Sequence, residues 1–329
     1  MRNGFGIVGS IASLVLLAGA AGPVAADTRI ERELALAPGG RLVVEADGGS
    51  VRVEGSSQSG VRVVITSETD DLDSVYDLRF EERAGEVEIV ARRKRGKDGE
   101  GWSLMSFFRG GARHGLRIEI EAPTETFVAI DTSGGAIDVR SLSAGADLDT
   151  SGGTIEARDL AGSLRADTSG GAIHITRVDG DVEADTSGGS IHVEGVRGSV
   201  RADTSGGSIK AIEVTGDLRA GTSGGSIQIS GAGGAVNAET SGGSVRVEFA
   251  RGNASGGTIS ASGGGVRVAL DPSVSLDIDA SASGGSVTSD LAVQAGGTVS
   301  KSQLRGTLGS GGERLSLRSS GGGITIESL

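Results

Sequence analysis

The motif Asp-Thr-Ser-Gly-Gly places a carboxylate beside two hydroxyl groups, the side chains that hydrolases use as bases and nucleophiles. It first occurs at residues 131–135 and recurs in seven near-identical copies, the last two with Gly or Glu in place of Asp. A catalytic centre needs one nucleophile oriented by one base, and no His occupies a matching position in any copy. We therefore predict a structural turn, in which Gly supplies positive φ and the polar side chains bond the local backbone. No catalytic residue is predicted, and the chain is expected not to be an enzyme.

Two histidines could bind a metal ion. His174 and His192 are one 18-residue interval apart, and Glu156 precedes His174 by the same interval. Two imidazoles and a carboxylate on neighbouring strands form a donor set that suits zinc. The alternative is a solvent-exposed row of side chains with neutral, stacked imidazoles. These three residues are therefore weak metal candidates, and no cofactor is predicted.

Acidic residues recur at the same interval, at Asp131, Asp149, Asp167, Asp185 and Asp203. Carboxylates stacked one above another repel each other. Arg165 and Arg201 stand two positions before an Asp and share its face of a strand, which favours an exposed ladder of ion pairs. The alternative is calcium bridging successive carboxylates, although the calcium-solenoid pattern Gly-Gly-x-Gly-x-Asp is absent.

The segment 92–115 combines basic and aromatic residues that are scarce elsewhere. Those of interest are Arg92, Arg93, Lys94, Arg95, Lys97, Trp102, Phe107, Phe108 and Arg109. One interpretation is a long hairpin loop whose aromatic rings cover the open end of a β-structure. The other is an interaction loop that contacts an anionic membrane surface or an acidic protein, such as a second copy of this chain.

The elements that hold these side chains follow from an 18-residue repeat. The Gly pair of the motif recurs without insertion, beginning at Gly134, Gly152, Gly170, Gly188, Gly206, Gly224 and Gly242. Apolar and polar residues alternate within each copy, which predicts short strands with one buried face. Because one copy cannot bury its own apolar face, successive copies must stack. The repeat therefore predicts an all-β, single-chain parallel β-solenoid, or β-helix, of 18-residue coils.

The composition is consistent with this architecture and excludes several classes of protein. Gly accounts for 59 of 329 residues, which would weaken ordinary helices, yet the Gly-X-Y period of collagen is absent. Cys is absent as well, which excludes a disulfide framework and a thiolate zinc site. The net charge of -12 argues against a nucleic-acid partner. Aromatic residues make up only 2% of the chain, which predicts a narrow interior that accepts Ile, Val, Ala and Thr but not Phe or Trp.

The chain divides into four segments. Residues 1–26 contain one charge, Arg2, then an apolar run and small residues up to Ala26, which is typical of a cleaved export signal. An uncleaved membrane anchor is the alternative interpretation. Residues 27–115 form an N-terminal β region that includes the basic-aromatic loop. Residues 116–252 carry the regular repeat, and 253–329 are interpreted as irregular coils with a C-terminal cap.

Three stretches carry a family resemblance: 116–123 with the turn at 132–137, 270–291, and 306–326. They resemble the bacterial adhesin-like, or toast-rack, family of exported β-solenoid repeat proteins, a domain class of unknown function. The likeness covers residues 116–329, with weaker similarity back to Arg41. The chain departs from the family in having Ser-Gly-Gly where members often carry Asn-Gly-Asp, and both make tight turns. The resemblance implies the fold and an envelope location, and it implies no catalytic residues.

We expect an exported bacterial protein of the periplasm, the cell surface or the medium, which acts as a structural or adhesin-like interaction module. Its partners would be a polysaccharide, an envelope protein or an anionic membrane surface, and an oligomer is compatible with the sequence. The alternative is an envelope-stress sensing or scaffolding module that uses segment 92–115. A minor alternative is a polysaccharide-processing β-helix enzyme, which would need aromatic sugar platforms. After residue 128 the sequence contains one aromatic residue, Phe249.

Overall fold

The computed structural model describes residues 28–67, 72–94 and 115–329, and these are almost entirely β-structure. The N-terminal part comprises β1 (Thr28–Leu34), β2 (Arg41–Ala46), β3 (Ser50–Ser56), β4 (Val61–Ser67), α1 (Leu72–Val75), β5 (Tyr76–Arg83), β6 (Glu86–Arg93) and β7 (Arg117–Pro123). No helix within the described ranges has the length and apolar character needed to cross a membrane.

The regular part comprises β8 (Phe127–Thr132), β9 (Ile137–Leu142), β10 (Ala146–Thr150), β11 (Ile155–Ala161), β12 (Leu164–Thr168), β13 (Ile173–Asp179), β14 (Val182–Thr186), β15 (Ile191–Val196), β16 (Val200–Thr204), β17 (Ile209–Val214), β18 (Leu218–Thr222), β19 (Ile227–Ala232), β20 (Val236–Thr240) and β21 (Val245–Phe249). The C-terminal part comprises β22 (Gly257–Ala261), β23 (Val266–Leu270), β24 (Leu276–Ala282), β25 (Val287–Ser289), β26 (Gln294–Ser300), β27 (Gln303–Leu308), β28 (Arg314–Ser319) and β29 (Ile324–Ser328).

The strands form two long sheets, and each coil contributes one strand to each of them. Sheet A has 14 strands in the order β1-β4-β7-β3-β9-β11-β13-β15-β17-β19-β21-β23-β29-β25. Sheet B has 15 strands in the order β26-β27-β24-β28-β22-β20-β18-β16-β14-β12-β10-β8-β2-β6-β5. In the regular part the strands are parallel and pair residues 18 positions apart, as Ile155 with Ile173 and Leu164 with Val182. The predicted parallel β-solenoid is confirmed.

The core lies between the two sheets and is filled by the repeated apolar positions. In one coil, Ile173, Ile175 and Val178 of sheet A face Val182 and Ala184 of sheet B, and all five are at most 3% exposed. Burying a side chain of the size of Val or Ile stabilises the fold by about 1.5–3 kcal/mol. Because every coil repeats this contribution, stacking provides the core that a single coil lacks.

One prediction about the interior is wrong. Phe249 is 1% exposed and lies in the core, next to Ala232 of the preceding coil. The coil is three residues longer here, since Val245 pairs with Val266 rather than with a residue 18 positions later. Asn253 closes the widened turn by donating from Nδ2 to the carbonyl oxygens of Ala232 and Gly234, at 2.6 and 2.9 Å. The longer turn therefore gives room for a ring.

Sheet A strands contain a repeated left-handed residue. Its φ lies between 53 and 71° at Ser141, Asp159, Arg177, Gly195, Glu213 and Gly231. This residue interrupts the alternation of the strand, so that two residues three positions apart, such as Val139 and Leu142, are both buried. The kink lets the strand turn towards sheet B while its side chains stay in the core.

The order of the coils changes at both ends of the solenoid. The first coil, β2 with β3, lies between the β6–β7 coil and the β8–β9 coil. The last coil, β28 with β29, lies between the β22–β23 coil and the β24–β25 coil. The connections that skip a coil begin at Pro123 and include Pro272, and Pro is suited to turns that leave a strand ladder. Each terminal coil is therefore paired on both sides.

Candidate functional site

A long, shallow groove runs along the outer face of sheet B, with a volume of about 740 Å³. The acidic residues and the Ser residues of the turns line it together, and the groove continues to Thr258 and Ser260. These side chains face outward because the strand alternation buries their neighbours, such as Ala184 and Thr186. The repeat thus places one polar set per coil along a single surface, and none of the lining residues is His.

The Thr of each motif is buried and serves the turn rather than the groove. Thr186 Oγ1 donates to the carbonyl oxygen of Gly171, at 3.0 Å, and accepts from the backbone N–H of Gly189, at 3.3 Å. The same pair of bonds recurs at Thr150, Thr168, Thr204, Thr222 and Thr240. Each Thr therefore joins its own turn to the preceding coil, and its hydroxyl is occupied by backbone groups.

The two Gly residues of each motif have different roles, and the prediction that they supply positive φ does not hold for the regular coils. Neither Gly188 nor Gly189, for example, has a left-handed φ. A Cβ on Gly189 would collide with the backbone carbonyl of Gly171, whereas a Cβ on Gly188 would meet nothing closer than 3.7 Å. The second Gly is required because successive turns approach closely. The first Gly is free of close contacts in the earlier coils, but at Gly242 a Cβ would lie 2.9 Å from the Gly224 carbonyl oxygen.

The acidic residues form a partly compensated ladder. Arg165 Nε lies 2.8 Å from Asp167 Oδ2, and Arg201 Nη2 lies 2.8 Å from Asp203 Oδ2. Both Arg residues also approach Glu183, at 3.2 and 3.7 Å. The predicted pairing between positions two residues apart is therefore present in these two coils. Among the described residues, no group of three or more His, Asp or Glu side chains is arranged to hold a metal ion.

Three carboxylates of this ladder, Asp149, Asp167 and Asp185, have a pKa raised above that of free Asp. Burial raises the pKa of Asp149, and the charges of Asp131, Asp167 and Asp147 raise it further. Burial, followed by the charges of Asp167 and Asp203, raises the pKa of Asp185 in the same way. The pKa of Asp167 is also raised by burial, although Arg165 opposes the shift. The ladder therefore favours proton uptake, because like charges are stacked in a partly desolvated groove.

His174 and His192 lie side by side on the outer face of sheet A, in register with Glu156. Their ring centroids are 6.3 Å apart and tilted by 44°. Glu156 Oε2 accepts a bond from Arg158 Nη2 at 2.8 Å, and His192 Nε2 lies 3.4 Å from Glu194 Oε2. The structure brings the three candidate residues into one row, but it directs Glu156 to an Arg rather than to the imidazoles.

The basic-aromatic segment is described only at its start. Arg92 Nη2 lies 3.0 Å from Glu45 Oε2, and the Arg93 backbone N–H donates to Asp47 Oδ2 at 2.8 Å. Lys94 Nζ donates to the Asp73 carbonyl oxygen. These three residues are thus held at the end of the solenoid, Arg92 and Lys94 through their side chains and Arg93 through its backbone. Arg95, Lys97, Trp102, Phe107, Phe108 and Arg109 lie outside the described residues.

One feature of this segment differs from the prediction. The strand before it, β6, belongs to sheet B, whereas the strand after it, β7, belongs to sheet A. The flanking strands therefore do not pair with each other, and the segment connects two sides of one coil. The prediction of a hairpin loop is wrong in this respect.

Comparison with known proteins identifies the family. The family model described as Toastrack DUF4097 matches residues 39–327. The chain belongs to the Toastrack family. The match spans the first coil, the regular repeat and the inserted last coil of this Toastrack protein, so the assignment covers all the coils of the solenoid. Comparison with curated proteins found no match.

Solved structures similar to this Toastrack protein include three bacterial proteins. A candidate adhesin from Bacteroides fragilis is 12% identical, with a TM-score of 0.44, and the match covers 93% of this chain and 99% of that one. A candidate lipid-binding protein from Parabacteroides distasonis is 12% identical, with a TM-score of 0.32 and coverage of 91% and 96%. A candidate cell adhesion protein from Clostridium sporogenes is 10% identical, with a TM-score of 0.24 and coverage of 92% and 100%.

The groove as a whole was not predicted, although the repeat shows the rows of Asp and Ser residues that line it. Strand alternation predicts which residues face outward, but it does not show that the Asp and Ser rows enclose a common recess. The row of acids is broken at Gly221, between Asp203 and Glu239. That break in the Asp row is a sequence signal that distinguishes one coil of the groove from its neighbours.

Proposed function

We propose that this Toastrack protein is a non-enzymatic, adhesin-like interaction module that holds an extended partner along the groove of sheet B. The observation that carries the proposal is the continuity of the groove, which extends from Asp149 to Ser260 with Ser or Thr residues in every coil and an acidic residue in most of them. An extended polymer can contact many equivalent groups at once, and weak repeated contacts add up to useful avidity.

Two further observations support a binding role over a catalytic one. The Thr hydroxyls beside the groove are occupied by backbone bonds, and the Asp residues are spread one per coil rather than paired with a base. Among the described groove residues, the Thr hydroxyls are not hydrogen-bonded to a base, which is the pairing that nucleophilic catalysis requires. We also propose that the protein is exported, on the basis of the signal-like residues 1–26 and of the adhesin-like resemblance.

The test measures binding of residues 27–329 to insoluble bacterial polysaccharide, to purified peptidoglycan and to anionic vesicles. Ser187 and Ser205 line the groove in successive coils, so the double variant S187R/S205R should obstruct it and lower polymer binding about tenfold. The matched control is T176R/S230R, which adds the same charge and bulk to the outer face of sheet A. Both variants should keep the wild-type melting temperature.

Three results would overturn the proposal. The first is that the wild-type protein binds none of the polymers, and the second is that the control loses as much binding as the groove variant. The third is release of reducing sugar from a polysaccharide by the wild type but not by D185N, which would show catalysis. A variant lacking residues 96–112 should bind polysaccharide normally. If this deletion abolishes binding to vesicles or to polymer, the basic-aromatic segment is the contact surface instead.

A further inference from the structure

One coil of the groove departs from the pattern of its neighbours. In the coils of Arg165 and Arg201, each guanidinium is paired with the Asp two residues later. Arg219 stands in the same row, directly beside Arg201, but the residue two positions later is Gly221. Arg219 forms no ion pair with any carboxylate of the described residues. The repeat therefore leaves one cation without its usual partner, in the middle of a groove that is otherwise acidic.

The replacement of Asp by Gly also removes the side chain that would otherwise pair with this cation from within its own coil. A Cβ on Gly221 would meet the Oδ1 atom of Asp203, which leans into the position that a side chain would occupy. The row of Arg219 continues with Asn237 and then Thr258, and the row of Gly221 continues with Glu239 and then Ser260. Arg219 also borders the adjoining recess of about 590 Å³ on the same sheet. Arg219 is exposed to the groove, with Arg201 on one side of it in the row and the amide of Asn237 on the other.

The chemistry of this notch selects among ligands. Arg binds a carboxylate with two parallel hydrogen bonds, which is a stronger contact than a neutral one. The Asp row from Asp131 to Asp203 would repel a chain that carried a negative charge on every unit. The hydroxyl and amide groups of Ser223, Asn237 and Thr258 suit sugar hydroxyls. An isolated acidic group on an otherwise neutral, hydroxyl-rich chain would pair with Arg219, would avoid repulsion along the Asp row and would hydrogen-bond to the lining.

We propose that Arg219, at the notch formed by Gly221, binds the carboxylate of a single acidic sugar within a neutral glycan that lies in the groove. This inference rests on the proposed function, because it names the ligand class of the same groove. The glycan is favoured over a peptide because the lining is rich in hydroxyl groups and, among the described residues, poor in the apolar pockets that hold peptide side chains. A peptide with a free C-terminal carboxylate is therefore a competing ligand for the test.

The decisive variant is Gly221→Asp, which restores the pattern of the other coils. The new carboxylate would occupy Arg219 as Asp203 occupies Arg201, and the only near contact is the end of the Asp203 side chain, which can move. Arg219→Gln removes the cation itself. Arg165→Gln is the matched control, since it deletes the same charge from the same row, where the Arg is already paired.

The probes are a neutral gluco-oligosaccharide, the same oligosaccharide ending in glucuronic acid, polygalacturonate, and a short peptide with a free C-terminus, with Kd measured by calorimetry. The wild type should bind the acid-terminated oligosaccharide about tenfold more tightly than the neutral one, as expected for one charge-assisted pair. G221D and R219Q should lose this preference, and R165Q should keep it. Polygalacturonate should bind more weakly than the acid-terminated oligosaccharide.

Several results would overturn the inference. Equal binding of the acidic and neutral oligosaccharides by the wild type would remove the acid site while leaving the proposed function intact. Loss of the preference in R165Q as well would show a general charge effect, and tighter binding of the peptide would assign the notch to a different class of partner. If no glycan probe binds the wild type, the inference fails, and the proposed function is then decided separately by the polymer-binding test of S187R/S205R. Melting curves of G221D and R219Q, expected to match the wild type, show that any loss is not unfolding.

Discussion

The regular coils and the two ends of the solenoid use the same kind of strand but arrange it differently. From β8 to β23, the order of strands in each sheet follows the order in the chain. At the ends, the first and last coils are inserted between the two coils nearest to them in sequence. A regular coil therefore has contacts that any other regular coil could make, whereas a terminal coil has contacts that no other segment reproduces.

The inserted coils pair strands that would lie unpaired at the ends of a stack built in chain order. In a plain stack the outermost coil is also the chain terminus, so it would be paired on one side only and would fray. Insertion pairs the terminal strands on both sides, and specific side chains hold them there. Asp279 of the outer β24 bridges to Arg318 of the inserted β28 at 3.0 Å and to Arg305 of β27 at 3.2 Å. Its side chain is 18% exposed, close to the 22% of Asp167 in the regular ladder, but it is bridged to two Arg residues rather than stacked on other acids.

Deleting a terminal coil should have the largest effect. Removal of residues 314–329 takes away β28 and β29, and with them Leu315, Leu317, Ile324 and Ile326, which are all 0% exposed. Burial of each stabilises the fold by about 1.5–3 kcal/mol, and the neighbours β22 and β24 would lose the strand that separates them. We expect the C-terminal part from β24 onward to lose its structure, measured as new trypsin cleavage and lower β-signal in circular dichroism.

The matched control removes one regular coil. Deletion of residues 187–204 joins Thr186 to Ser205 and leaves the repeat in phase. This shorter protein should stay folded and resist trypsin, with a melting temperature lower by a few degrees, because stability is close to a sum over coils and their interfaces. If both deletions give equally resistant proteins, the inserted coil does not stabilise the end of the solenoid.

A smaller effect is expected from the two Gly residues of one motif. Gly189→Ala forces a methyl group into the backbone of Gly171, and overpacking of this kind costs about 1–3 kcal/mol. Gly188→Ala meets no atom closer than 3.7 Å, which is an ordinary van der Waals contact, so its free energy of unfolding should change by less than about 0.5 kcal/mol. Urea denaturation of both variants measures the difference. Equal midpoints would contradict the close approach of successive turns.

The regular coils were predictable from the sequence for a physical reason. Alternation shows which residues face inward, and the 18-residue interval shows which residues pair, so Ile155 and Ile173 can be placed together from the sequence alone. The pairing of Arg with Asp two positions later follows from the same geometry, as at Arg165. Each prediction needed only local pattern and repetition.

The ends were not predictable in this way, because the repeat loses its period there. Both β24 and β28 alternate, and alternation does not show which of them pairs with β22. The left-handed residue of the sheet A strands was not predictable either. Ser141, Asp159, Arg177 and Glu213 all have a positive φ, but their side chains have no chemical property in common. In the candidate site, Gly221 is visible as a break in a row, but the notch beside Arg219 requires knowledge of the groove.

The response to pH should have opposite signs in the two regions. The pKa of Asp185, in the regular ladder, is raised by burial and then by its acidic neighbours, with Arg201 opposing. A raised pKa means that the stabilising contribution is present below the unfolded pKa, about 4, and is lost as the pH rises through the folded value. For Asp279, burial acts to raise the pKa, but bonds and charges from Arg318 and Arg305 outweigh it and lower the pKa. Its contribution is present above the unfolded pKa and is lost as the pH falls through the folded value.

Two neutral variants measure these contributions separately. D185N should raise the melting temperature by a few degrees at pH 7, because it removes one of the stacked charges, and this gain should shrink as the pH falls towards 4. D279N should lower the melting temperature at pH 7, because it weakens the bridge between β24 and β28, and its deficit should shrink below pH 4. Melting curves of the three proteins from pH 7 to pH 3 provide the test. Parallel curves for D185N and the wild type would show that the ladder does not repel itself.

The smallest effect should come from the left-handed residue of the regular coils. Gly231 has a φ of 71°, and a Cβ there would meet nothing closer than 3.6 Å, so Gly231→Ala tests the conformation without a steric clash. It should lower the free energy of unfolding by about 1 kcal/mol, the cost of a left-handed non-Gly residue. Glu213→Gly, at a φ of 53°, makes the reverse change one coil earlier and should be neutral or stabilising by less than about 1 kcal/mol, because Gly also gains entropy in the unfolded chain. Opposite signs in chemical denaturation confirm that the kink is a property of the coil. Destabilisation by both variants would instead mean that the Glu213 side chain contributes to the surface of sheet A.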